Sequence, residues 1–208
     1  MPLYLNVFNK LINKKTIFVL LIYLDLMSDK ILLNSKKIQI ILQRLACQLI
    51  ENHGDFSNTV LIGLQPRGTY FAERIASILT NDYHVKNIQL GKLDITFYRD
   101  DFRRRDEPLN ANSTEINFLV EGQKVVFIDD VLFSGRSINA ALTAIQSYGR
   151  PAEVELLVLV DRRFSRHLPI QPDYKGATVD VINEEKVLVS WSDDTTKDAV
   201  YIINKKDK

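Results

Sequence analysis

The chain has 208 residues, enough for one full hydrophobic core, and 46% hydrophobic with 25% charged residues is the composition of a folded globular protein. A formal net charge of +1 excludes a general polyanion-binding character, so any nucleic-acid surface has to come from local clustering. One cysteine, Cys47, excludes an internal disulfide and a cysteine-built zinc site, and a reducing cytoplasm fits that usage.

Residues 1–26 carry Lys10, Lys14 and Lys15 and then an apolar run at 17–24, which imitates the start of a signal peptide. Asp25 interrupts the run, no small-residue cleavage site follows, and the run is too short to span a bilayer. Met27 opens MSDKILLNSKK, so the preferred reading takes translation to begin there. A genuine amphipathic extension over 1–26 is the alternative; 27–208 then form one domain. A helix is expected from Asn34 or Ser35 to about Asn52, with Ile38, Ile41, Leu42, Leu45 and Leu49 on one stripe and Gly54 as its stop. Cys47 falls on this apolar pattern as a packed thiol. Residues 59–64 read as a short buried strand and 69–79 as the helix that returns from it. Between them Gln65, Pro66, Arg67 and Gly68 form a turn and a first anion-binding candidate, or else a plain turn with Arg67 in solvent.

Residues 89–98 alternate and are rich in β-branched side chains, which predicts a strand, interrupted at Gly91. The stretch 100–117 has no sustained period, many charges and a proline, so it reads as a long loop of the kind that forms lids. Then comes VVFIDDVLFSGRS at 125–137. Val125, Val126, Phe127 and Ile128 predict a buried parallel strand, with Asp129 and Asp130 at its end. Val131, Leu132, Phe133, Ser134, Gly135, Arg136 and Ser137 follow as a short glycine-bearing turn before a helix over 138–148. Backbone N–H groups of such a turn point at an anion, Gly135 lets the backbone come close, and Ser134 and Ser137 add hydroxyl donors. Two aspartates would repel a lone phosphate. They suit a sugar diol beside it, held directly or through a hydrated Mg²⁺. The segment therefore fits a ribose 5-phosphate; the plain alternative is a solvated Asp-Asp turn and a helix cap.

Residues 153–160 predict another central strand, ending at Asp161, Arg162 and Arg163. Shorter strands are expected at 179–182, 186–191 and 199–203, gathered as a late hood. Arg162, Arg163, Arg166 and His167 form a local basic group that fits either phosphates or a solvated surface. His53, His84 and His167 lack metal-ligand spacing. Alternating strands and helices predict an α/β fold with a mainly parallel central sheet and the site at its C-terminal edge.

The string at 125–137 resembles the phosphoribosyl pyrophosphate (PRPP) motif of type I phosphoribosyltransferases. Further likeness at 62–70 (IGLQPRGTY), 93–101 (LDITFYRDD), 149–162 (GRPAEVELLVLVDR) and 168–174 (LPIQPDY) is similar to the family of pyrimidine operon attenuation regulators with uracil phosphoribosyltransferase activity. The likeness covers about 29–203, and MSDKILLNSKK resembles the usual start of that family. The resemblance implies transfer of phosphoribose from PRPP to uracil, giving UMP and pyrophosphate, with Mg²⁺. It implies ribose and catalytic roles for Asp129 and Asp130, the 5-phosphate on 131–137, and pyrophosphate on Pro66, Arg67 and Gly68. It implies a loop at 100–117 that closes over PRPP, where Arg103, Arg104 and Arg105 would bring positive charge to the leaving pyrophosphate; the stretch is shorter here than in typical relatives, so no lid role is carried over to any one residue, and a solvated charged hairpin is the alternative. It implies a base held by Arg162 and the backbone near Val187. It also implies homo-oligomers and leader-RNA binding controlled by UMP. For RNA the chain departs from the pattern: Gln43, Cys47 and Asn52 are uncharged where RNA-binding relatives show a polar or basic set. A purine phosphoribosyltransferase, an RNA-binding attenuator with little turnover and a PRPP-binding regulator without turnover are the alternatives.

Overall fold

The computed structural model describes residues 30–100, 111–180 and 185–204. The expectations placed on 1–26, on Arg103, Arg104 and Arg105, and on 181–182 lie outside the described residues.

The fold follows from strands with buried apolar middles. β2 (Thr59–Leu64) is buried at all six positions, and β4 (Lys124–Leu132) and β5 (Glu153–Arg162) are buried over most of theirs. Such runs have to be covered on both faces, which is the condition of a parallel sheet. With β3 (Gln89–Leu93) and β6 (Tyr174–Val179) they form a five-stranded sheet in the order β3-β2-β4-β5-β6, every neighbouring pair parallel. α1 (Ser35–His53) and α2 (Gly68–Asn81) cover one face, where Leu45, Leu49, Phe71 and Ile75 pack with Leu61, Val126 and Leu157. α3 (Arg136–Ile145) covers the other through Ile138, Ala141 and Ala144, against Ile62, Phe127 and Val158. α1 starts where the sequence indicates: Asn34 Oδ1 accepts the Lys37 N–H at 3.0 Å, and Gly54, with φ +58°, ends it.

A separate three-stranded antiparallel sheet has the order β1-β8-β7, from β1 (Lys30–Leu33), β7 (Glu185–Ser190) and β8 (Ala199–Asn204). Val187, Val189 and Val200 extend the first core into it. The hood is therefore not built from late sequence alone, because β1 supplies one edge.

Several expected boundaries shift for local reasons. The strand expected over 89–98 ends at Leu93. Asp94 Oδ1 accepts the Thr96 N–H at 2.9 Å and its hydroxyl at 2.6 Å, turning the chain into a 3₁₀ turn at Thr96–Tyr98. Gly91 does not interrupt β3. It allows a crossing, since a Cβ there would lie 2.9 Å from the Phe118 ring. Of the strand expected over 179–182, Val179 is instead the last residue of β6, which belongs to the main sheet and pairs with β5. The helix expected over 138–148 runs to Ile145 and tightens to 3₁₀ at Gln146–Tyr148. Among the described residues no helix is long and apolar enough to cross a membrane.

Candidate active site

β2 and β4 are adjacent and parallel, so the two strand–turn–helix units open side by side at one sheet edge. Gly68 fixes their spacing. A Cβ on it would lie 2.3 Å from the Ile128 carbonyl oxygen and 3.1 Å from Asp129 Cα, so only glycine lets α2 start this close to β4. The turn before it is closed by Thr69 Oγ1, which donates to the Pro66 carbonyl at 2.8 Å, and the Gln65–Pro66 peptide is cis. Arg67 is exposed and close enough for its charge to act on Asp130.

The second turn is held from behind. Arg166 donates to the carbonyls of Leu132 and Phe133, to Ile170 O at 3.0 Å, and pairs with Asp161. The Ser134 carbonyl accepts the N–H groups of His167 (3.0 Å) and Leu168 (3.2 Å). These bonds engage the carbonyls of Leu132, Phe133 and Ser134, while within the turn the Arg136 N–H meets the Ser134 hydroxyl oxygen at 3.4 Å. Gly135 takes φ +89°, a left-handed conformation that glycine adopts without steric cost, and α3 begins at the next residue. Asp129, Val131, Leu132, Phe133, Ser134, Gly135, Arg136 and Ser137 share a cleft of about 160 Å³ with Arg99 and Ile138. Arg99 donates to Ser137 Oγ at 2.9 Å, and Arg136 pairs with Asp100.

The acidic pair does not follow the strand but lies within it, and adjacent strand residues face opposite sides. Asp129 opens into the cleft and Asp130 faces the Arg67 side, 7% exposed, with one carboxylate oxygen that has no hydrogen-bond partner among the described residues. Burial pushes the Asp129 carboxyl well above the usual carboxylate range, and Asp130's charge adds to it, while Arg99 pulls back. Burial raises Asp130 too, against the opposing pull of Arg67.

A model of the phosphoribosyl transferase domain matches residues 28–193. The bifunctional protein PyrR of Desulfosudis oleivorans is 41% identical over 170 residues, covering 82% of this chain and 93% of that protein. That of Chloroflexus aurantiacus is 39% identical over 176 residues, covering 85% and 96%. The chain belongs to the bifunctional PyrR family of phosphoribosyl transferases. The fold agrees: the hypoxanthine phosphoribosyltransferase of Trypanosoma cruzi superimposes with a TM-score of 0.63 at 17% identity, over 86% of this chain and 98% of that one.

In this PyrR-family chain the remaining candidates divide. Arg162 is buried at the end of β5, its guanidinium 4.2 Å from the centre of the Phe133 ring. Val187 is buried on β7, an edge strand of the hood whose free side has no strand partner among the described residues. The basic group near 162–167 is largely committed. Arg163 forks onto Asp180 at 2.8 and 2.7 Å, Arg166 is turned inward, and Arg162 is buried. On α1, Gln43 donates to Asp82 at 2.6 Å, Cys47 Sγ sits 2.9 Å from the Tyr83 hydroxyl, and Asn52 donates to Tyr174 at 2.8 Å. Sequence reading missed Arg99 as a cleft residue and Arg166 as the brace of the turn after β4. Arg99's signal was its place in the 93–101 stretch that follows β3 and shares the family likeness.

Proposed function

We propose that this chain transfers the 5-phosphoribosyl group of PRPP to N1 of uracil, releasing UMP and pyrophosphate, and that it regulates the pyrimidine operon through the same nucleotide site. The observation that carries the reading is the cleft itself: a carboxylate, Asp129, shares about 160 Å³ with a glycine turn whose carbonyls are engaged elsewhere. That combination accepts hydroxyls on one side and an anion on the other. The N–H groups of 133–137 hold the 5-phosphate, with Ser134 and Ser137 hydroxyls beside them. Asp129 and Asp130 accept the ribose hydroxyls. Displacement at the anomeric carbon builds positive charge on the sugar, which the two carboxylates stabilise, and negative charge on the leaving pyrophosphate, which Arg67 and the N–H groups around Gly68 receive. Positioning across two turns, held close together because position 68 carries no side chain, supplies the rest.

Among the described residues no cluster of three or more histidine, cysteine or acidic side chains forms a metal cage. The free buried oxygen of Asp130 instead fits Mg²⁺ in the manner usual for that ion, with one or two carboxylates and the rest of its shell from substrate and water. When bound, Mg²⁺ neutralises pyrophosphate charge. Arg162 and the free edge of β7 near Val187 face the base.

The test is an assay of PRPP with uracil, hypoxanthine, guanine or orotate in Mg²⁺. Product with uracil alone supports the reading, and product only with a purine overturns it. Leader-RNA binding is tested by titration with and without UMP. The basic group at 162–167 is mostly paired, so the reading expects Arg163→Ala to leave any UMP-dependent binding unchanged.

A further inference from the structure

Asp94, the residue after β3, is 8% exposed, and both oxygens of its carboxylate accept hydrogen bonds. Oδ1 takes the Thr96 N–H and hydroxyl and so sets the 3₁₀ turn at Thr96–Tyr98. Oδ2 takes the Asn112 N–H at 2.9 Å, and the Asp94 N–H donates to Thr114 Oγ1 at 3.1 Å. An asparagine could make the same turn through its oxygen. Its amide nitrogen would then face the Asn112 N–H, donor against donor, so the arrangement needs a group that accepts on both atoms. Arg99 leaves this turn and lines the cleft, where its Nη1 donates to Ser137 Oγ at 2.9 Å. The next residue, Asp100, pairs with Arg136, so the turn is stitched to the first two residues of α3. A serine hydroxyl has one proton. With Arg99 donating to the oxygen, that proton is left for another acceptor.

Resting on the phosphoribosyltransferase reading, we propose that Asp94 is a positioning residue for the 5-phosphate. It fixes the turn that brings Arg99 to Ser137, and Arg99 aims the Ser137 hydroxyl at the phosphate and sets a positive charge beside it. Asp94 is not among the residues that line the cleft, so its effect passes through Arg99. A donor aimed before the ligand arrives costs no reorganisation when it binds, and a guanidinium next to it strengthens the contact with an anion. The role is confined to the phosphate end of the substrate, since Ser137 opens α3 beside the glycine turn.

The experiment measures steady-state rates with PRPP and uracil, and UMP binding by calorimetry. It compares the full chain with Asp94→Asn, Arg99→Ala and the double variant. Asp94→Asn is expected to raise the KM for PRPP and the Kd for UMP about 5- to 30-fold, within the range of hydrogen bonds to charged groups. The KM for uracil and kcat stay within about 2-fold, the split expected when only ground-state binding of one substrate is lost. Arg99→Ala gives the larger loss, and the double variant is no weaker than Arg99→Ala alone, because two residues acting in series do not add. Thr96→Val keeps the side-chain shape, removes one hydroxyl from Asp94, and raises the PRPP KM about 2- to 5-fold. It carries the test if Asp94→Asn does not fold. An unchanged PRPP KM, losses that multiply in the double variant, or PRPP and uracil KM values that rise together overturn this proposal and leave the enzymatic reading standing. Wild type that forms no UMP from uracil overturns both.

Discussion

The two ends of the parallel sheet treat buried polar groups in opposite ways. At the N-terminal end, His53 lies between Glu155 (3.1 Å) and Thr59 (3.1 Å), while the Tyr174 hydroxyl donates to Glu155 at 2.6 Å and accepts from Asn52 at 2.8 Å. Each of these side chains has a partner within the network. At the C-terminal end, Asp130 Oδ2 and Arg162 Nε and Nη2 are buried without partners among the described residues. Both ends draw on strand termini of the same sheet, so burial alone does not distinguish them. Satisfaction does: the closed network holds β2, β5, β6 and α1 together, and the open one keeps donors and acceptors for a ligand.

Substitutions at the two ends should therefore diverge. The largest effect is expected from Gly68→Ala, where the new Cβ meets backbone rather than a movable side chain; the cost is about 2–3 kcal/mol, read as a lower denaturation midpoint. Next comes Tyr174→Phe at the closed end, which strips Glu155 and Asn52 of a partner and destabilises by about 1–2 kcal/mol with turnover unchanged. Asp129→Asn at the open end should do the reverse, raising stability at neutral pH while lowering turnover. The sign follows from the raised carboxyl: the folded state holds its proton more tightly than the unfolded chain. Stability is therefore full at low pH and declines as pH climbs from the ordinary carboxylate value through the raised one. The variant escapes that decline, so its thermal midpoint exceeds wild type at neutral pH and the gap closes in acid. The smallest effect belongs to Arg163→Ala, an exposed pair with Asp180, within about 0.5 kcal/mol by urea unfolding.

The strands that carry this contrast are mostly legible in the sequence, the contrast itself is not, and the exceptions share a cause. Apolar runs within 59–64, at 125–128 and at 156–160 announce central strands because both their faces are covered. β6 reads YKGATV, with no such run. Its place is fixed by a tertiary contact at Gly176, where a Cβ would lie 2.4 Å from the Leu159 carbonyl oxygen. β1 is four residues at a sheet edge, too short to carry a period. In the site, the adjacent acids and the glycine turn stand in one string and were read from it. Arg99 and Arg166 act on partners 38 and 34 residues away, Ser137 and the Leu132 carbonyl, which no local pattern encodes. The same holds for the arginines near 162–167. Their clustering suggested a surface, but Asp161, Asp180 and the backbone had already engaged two of them.

The most direct measurement is a crystal structure of the chain with UMP. The account predicts the phosphate on the N–H groups of 133–137, the ribose hydroxyls on Asp129 and Asp130, and the uracil ring beneath the hood. A nucleotide bound elsewhere, or seated there with both carboxylates turned from the sugar, would contradict it.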